Sequence, residues 1–210
     1  ERDGGLPPAS PEEPQSTWDL EIARYIRPDL VVSNSVYARR RLEMIVGPGF
    51  VCPSDNLVRA HPRSYAMSTH DMRLDHWPPN PGNATGVGIT WEKGHVETVL
   101  GEGAWEQAKT NRNLLTPVKR SWLPDPANTL LLTELVCRDN LFGRAPNATV
   151  GSARQQVELF NGDQSRFQRG RFNYLMADGH VELLSPFQIE NINSYDANLA
   201  MGIWTIKAGD

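Results

Sequence analysis

The stretch 171–186, RFNYLMADGHVELLSP, constrains the fold more than any other part of the chain. Two runs rich in β-formers flank Asp178-Gly179, a dipeptide suited to a two-residue type I′ turn, whose central residues both need positive φ. Such a turn sets Ala177 opposite His180, Met176 opposite Val181, Leu175 opposite Glu182 and Tyr174 opposite Leu183. Phe172, Tyr174, Met176, Val181 and Leu183 would then share one apolar face, broad enough to lie on something larger. The local reading is a β-hairpin.

Other elements follow from periodicity and breakers. Ser16 or Thr17 can cap a helix in which Trp18, Ile22, Tyr25 and Ile26 fall on one side. Pro28 ends it, because the residue before a proline is driven out of the α region. A second helix is expected over 35–45, stopped by Gly47-Pro48. Strand-like runs cover 89–91, 95–100, 129–136, 173–177 and 180–184. Residues 1–15 read as an extended arm rich in Pro and Gly, and 70–88 and 138–152 as long irregular loop insertions. With 210 residues, 16 prolines and 17 glycines, the expectation is one loop-rich domain, 1–210, large enough to bury a core.

Charge and motif content narrow the functional classes. A net charge of −4 argues against a nucleic-acid partner, and the basic cluster Arg39-Arg40-Arg41 reads as the exposed side of a helix. No apolar run approaches the ~20 residues of a membrane span. A nucleophile elbow, a phosphate loop and HExxH are all missing from the sequence. His180 with Glu182, and His95 with Glu97, have strand spacing that projects both side chains from one face, but a third ligand and a supporting shell are not visible. His70, Asp71, Asp75 and His76 crowd one segment, and Glu190, Asn191, Asn193 and Asp196 another, where turn chemistry suffices. No catalytic, cofactor-binding or metal set is therefore assigned. The six tryptophans, Trp18, Trp77, Trp91, Trp105, Trp122 and Trp204, leave an alternative open: an extracytoplasmic carbohydrate-binding module stacking sugars on exposed indoles, with Trp77 the best candidate.

The residues Ala177-Asp178-Gly179-His180-Val181-Glu182 also closely resemble the C-terminal signature of a bacterial prepilin-like family, described by a histidine, nine residues, then Asp-Gly; Gln168 stands at the histidine position. Further words of that family occur in its usual order. Gly5-Leu6-Pro7 with Thr17-Trp18-Asp19 resembles its opening. Phe50-Val51-Cys52-Pro53-Ser54-Asp55, then Arg63-Ser64-Tyr65-Ala66-Met67, resembles its central signature. Pro126 to Glu134, PANTLLLTE, resembles the strand that follows, and Gly202-Ile203-Trp204-Thr205-Ile206 its ending.

The resemblance implies an α+β, pilin-like fold, in which an N-terminal helix, its anchor part upstream of Glu1, packs on an antiparallel sheet with long loops. It implies a non-enzymatic subunit of a type II secretion or type IV pilus-like envelope fibre, needing no cofactor. Its partners would be other pseudopilin subunits and, through the upstream helix, the inner membrane, with this domain in the periplasm. The family-signature positions carried over are Cys52, Pro53, Ser54, Asp55, Ser64, Tyr65, Asp178, Gly179 and His180. A domain outside the cytoplasm makes a Cys52–Cys137 disulfide feasible. The alternative is that Cys137 is a small buried hydrophobe and Cys52 opens a Pro turn.

Overall fold

The computed structural model describes residues 10–11, 17–27, 44–70, 86–91, 97, 101–104, 106–107, 118–144, 147–160, 169–189 and 202–204. They form a mixed sheet with few helices. Its strands are β1 (Ser10–Pro11), β2 (Tyr65–His70), β3 (Gly88–Trp91), β4 (Leu130–Glu134), β5 (Thr149–Val150), β6 (Phe172–Met176) and β7 (Val181–Leu184). The helices are α1 (Trp18–Ile26), α2 (Ala153–Leu159) and α3 (Pro186–Ile189).

β2, β4, β6 and β7 run antiparallel in that order. The free edge of β2 takes parallel neighbours instead: β5 beside Met67 and Ser68, then β3 beside Thr69 and His70, with β1 parallel beyond β3. The sheet is thus mixed, which corrects the expected antiparallel one. Long connections between β2 and these partners permit parallel pairing, which a tight turn cannot make. Gly88 lets β3 approach, because a Cβ there would lie 2.6 Å from the Ser68 carbonyl oxygen and 2.8 Å from Met67 Cβ.

Core side chains lie on both faces of the sheet. Cross-strand register puts Ala66, Thr133 and Tyr174 on one face and Met67, Leu132 and Leu175 on the other. The Tyr174 face packs with Phe172, Met176, Ala153 of α2 and Trp204. Met67 packs with Trp18, Leu20 and Ala23 of α1, Phe50 and Phe142. Edge-to-face rings tie each cluster, Trp18 to Phe50 at 5.7 Å and Phe160 to Phe172 at 5.3 Å.

α1 begins after Thr17 and ends at Arg27, beside Pro28, as its breakers require. The stripe it buries is a different one. Trp18, Asp19, Leu20 and Ala23 are inside, whereas Tyr25 and Ile26 are exposed. An ion pair made by Asp19 sets the helix phase against the apolar count.

The hairpin exists with another turn. Leu175 faces Val181 and Tyr174 faces Glu182, one residue out of the expected register. Only Gly179 of the turn has positive φ, +104°, so Asp178 does not enter the left-handed region that a type I′ turn demands. The Met176 amide donates to the His180 carbonyl at 2.9 Å and the Gly179 amide to the Met176 carbonyl at 3.0 Å. This is a three-residue loop with glycine at the bulge. A one-residue slip turns every side chain of β7 over. Phe172, Tyr174 and Met176 are buried, but Val181 and Leu183 lie on the opposite face, 58% and 45% exposed.

The segment 138–152 is no insertion where it is described. Asn140, Phe142, Gly143, Ala148, Val150 and Ser152 are buried, and it supplies β5 and the cap of α2. Of the expected 35–45 helix, the described end, 44–46, is helical, and a 3-10 turn, Gly47–Phe50, follows. Most of 95–100 and of 70–88, and Gln168, lie outside the described residues.

Candidate functional site

Two linked buried polar networks run beneath the β2 end of the sheet. α1 delivers Asp19, and the residue two before β2 is Arg63; neither side chain is exposed. Arg63 Nη1 donates to Asp19 Oδ2 at 3.0 Å, Nε to Asn140 Oδ1 at 2.6 Å and Nη2 to the Arg144 carbonyl at 3.1 Å. Asp19 Oδ2 also accepts from the Gly143 amide at 2.8 Å, and Oδ1 from the Thr17 hydroxyl. The guanidinium lies 5.5 Å from the Trp18 ring centre. Burial lowers the Arg63 pKa, and the Asp19 carboxylate opposes that shift. Asn140 closes the group by donating through Nδ2 to the Tyr65 and Leu135 carbonyls.

The second network is built on the turn after Cys52, closed by the Asp55 amide donating to the Cys52 carbonyl at 2.8 Å. Asp55 accepts from Arg59 through both oxygens, at 2.9 and 2.6 Å, from the Leu57 amide at 3.1 Å and from the Ser64 hydroxyl. Burial pushes the Asp55 carboxyl up, but hydrogen bonds from Arg59 and Ser64 outweigh it and hold the pKa below its usual value. Burial, then a hydrogen bond to Glu134, raises the Cys52 thiol. Tyr65, burdened by burial and by Cys52 and Glu134, is pushed up to about 12. Glu134 is fully buried and accepts from the Asn173 amide at 2.7 Å and from Asn173 Nδ2 at 3.1 Å.

Beside this turn is a recess of about 510 Å³ lined by Met44, Gly47, Pro48, Val51, Cys52, Pro53, Asp55, His61 and Pro62. Its walls are mostly apolar. The Asp55 oxygens are committed to Arg59 and Ser64, and a thiol raised in pKa is a poor nucleophile at neutral pH. His61 holds positive φ, +57°, while its carbonyl accepts from the Phe142 amide at 2.8 Å.

Signature positions thus fall in two places. Cys52, Asp55, Ser64 and Tyr65 are brought together, with Pro53 and Ser54 exposed on the turn. Asp178, Gly179 and His180 form the exposed hairpin tip, whose Ala177 and Asp178 amides donate to the Thr129 and Pro126 carbonyls. His180 Nδ1 meets Asp178 Oδ1 at 2.7 Å and Nε2 meets Glu182 Oε1 at 3.2 Å. Cys52 and Cys137 are both buried, with no disulfide between them in the structure, and each sulfur has its own hydrogen-bonding surroundings, Glu134 and Tyr65 for Cys52, the Asp139 and Asn140 amides for Cys137.

Among the described residues no three His, Cys, Asp or Glu are grouped to hold a metal, and no helix is long and apolar enough to cross a membrane. Trp18 and Trp204 are core, and Trp122 is half-buried under Lys119. Trp77, Trp105, His95 and the segment with Glu190 to Asp196 lie outside the described residues, as does the Trp91 side chain. Sequence reasoning missed the tie of Arg63 to Asp19 and Asn140, and Gln156, whose Nε2 donates to the Glu134 carbonyl at 2.6 Å and the Thr133 hydroxyl at 2.9 Å. Nothing local marks them: Arg63 follows His61-Pro62 and Asn140 follows Arg138-Asp139, so both read as ordinary loop residues. No family model, curated protein or solved structure matches the chain.

Proposed function

We propose that the chain is a non-enzymatic, pseudopilin-like structural subunit of a type II secretion or type IV pilus-like envelope fibre. In this reading a helix upstream of α1 anchors it in the inner membrane, and the domain faces the periplasm among other pseudopilin subunits. One observation carries the proposal: the sequence words behind the resemblance are bonded to one another. Asp19 of the opening word holds Arg63 of the central one. Thr129 and Pro126 of the strand word hold the Ala177-Asp178 turn. Trp204 of the ending packs edge-on at 6.4 Å to Tyr174, in the strand that leads into the Asp178-Gly179 word.

Polar groups used as internal fasteners suit a body that transmits force from an attached helix to a sheet. The coding sequence upstream of Glu1, with fractionation of the full-length product, tests the reading. A basic leader, an apolar helix and inner-membrane recovery with fibre subunits are expected. A cytosolic start immediately before Glu1, with the product in the soluble fraction, would overturn it.

A further inference from the structure

Among the described residues β7 is the last strand of the sheet. The Met176 amide donates to the His180 carbonyl, and pairing alternates from there, so Glu182 and Leu184 turn their backbone groups toward β6. Val181 and Leu183 turn theirs outward, and their side chains are the exposed large apolar ones on this strand. An edge of this kind is a template for another strand.

We propose that β7 pairs with β7 of a second copy, antiparallel about a two-fold axis through Val181. In this register Val181 faces Val181 of the partner and exchanges both backbone hydrogen bonds with it. His180 of each copy then faces Glu182 of the other, so two opposite-charge pairs flank the axis. Leu183 lies over the partner's Gly179, which has no side chain and open space about it. Neighbouring registers are worse. Centring on Glu182 sets two carboxylates against each other, and centring on Leu183 sets His180 against Pro186, where the strand has ended and α3 begins. The pairing is isologous and closes at a dimer. It stands whether or not the chain is a fibre subunit.

Disulfide trapping of the whole chain tests it, since Cys52 and Cys137 are buried. Val181→Cys places two thiols across the axis within bonding reach. Leu183→Cys separates them by about 14 Å at ~3.4 Å per residue. Under mild oxidation Val181→Cys should trap a dimer at least ~10-fold faster than Leu183→Cys. Adding Glu182→Lys to Val181→Cys should slow trapping, and adding His180→Glu as well should restore it. Equal trapping at the two positions, none at Val181→Cys, or no restoration by the charge exchange would each overturn the proposal. Unchanged circular dichroism of each variant assigns the effect to the contact.

Discussion

Asp19 and Arg63, 44 positions apart in the chain, meet at 3.0 Å with no exposure of either side chain. Deleting one partner of such a pair strands the other charge away from water. Arg63→Met is expected to cost about 3–5 kcal/mol. Asp19→Leu combined with Arg63→Met should recover much of that loss, because no unpaired charge remains. Urea denaturation of the single and double variants gives the coupling; simply additive losses would contradict it.

Gly179 alone supplies the left-handed residue of the hairpin turn. Gly179→Val puts a β-branched residue at positive φ and should destabilise by about 1–3 kcal/mol. Gly179→Asn, which tolerates that region better, should lose less. Equal denaturation midpoints for Gly179→Val and the parent would show that the turn adopts another geometry.

Hydrogen bonds to the Asp178 and Glu182 carboxylates raise the His180 pKa, and the His180 amide and ring hold the Asp178 carboxyl low. A raised histidine pKa means the folded state binds the proton more tightly than the unfolded state. The stabilisation is complete below the ordinary histidine value of about 6.5 and disappears as pH rises through the folded pKa. Proton NMR titration should place His180 above that ordinary value, and Asp178→Asn should move it down. A midpoint unmoved by Asp178→Asn would refute the pairing.

The Cys52 and Cys137 thiols are both raised in pKa, chiefly by burial. The unreduced protein should show two reactive thiols when denatured and much slower reaction when native at neutral pH. Detection of no thiol in the denatured chain would establish the disulfide instead.

Runs of β-formers bounded by turn residues located β4, β6 and β7, and in β6 buried positions alternate with half-buried ones. β2 escaped because Ala66, Met67 and Ser68 are all buried, so the central strand does not alternate. α2 was overlooked although Ser152 and Gln155 spell a cap, with Ser152 Oγ accepting from the Gln155 amide at 3.1 Å. The hairpin register failed on one backbone angle, that of Asp178, which side-chain identity does not fix. In the site, Cys52, Asp55, Ser64 and Tyr65 were legible as family words. Arg59 meets Asp55 only four residues away, whereas Glu134 and Asn173 meet only through the pairing of β4 with β6, which no local pattern contains.

The bonds made by α1 also set a clock on biosynthesis. The Gly143 amide that Asp19 accepts from lies 124 residues downstream, and the Ala148 carbonyl that takes the Trp18 indole proton lies 130 downstream. At about 5–20 residues per second, a ribosome needs roughly 6–25 s to make that span. Through this interval Asp19 can meet Arg63, 44 residues on, but α1 still lacks the Gly143 amide and the Ala148 carbonyl. α1 therefore completes its docking only after Ala148 is made, and nascent chains halted before Gly143 should leave Trp18 open to quencher.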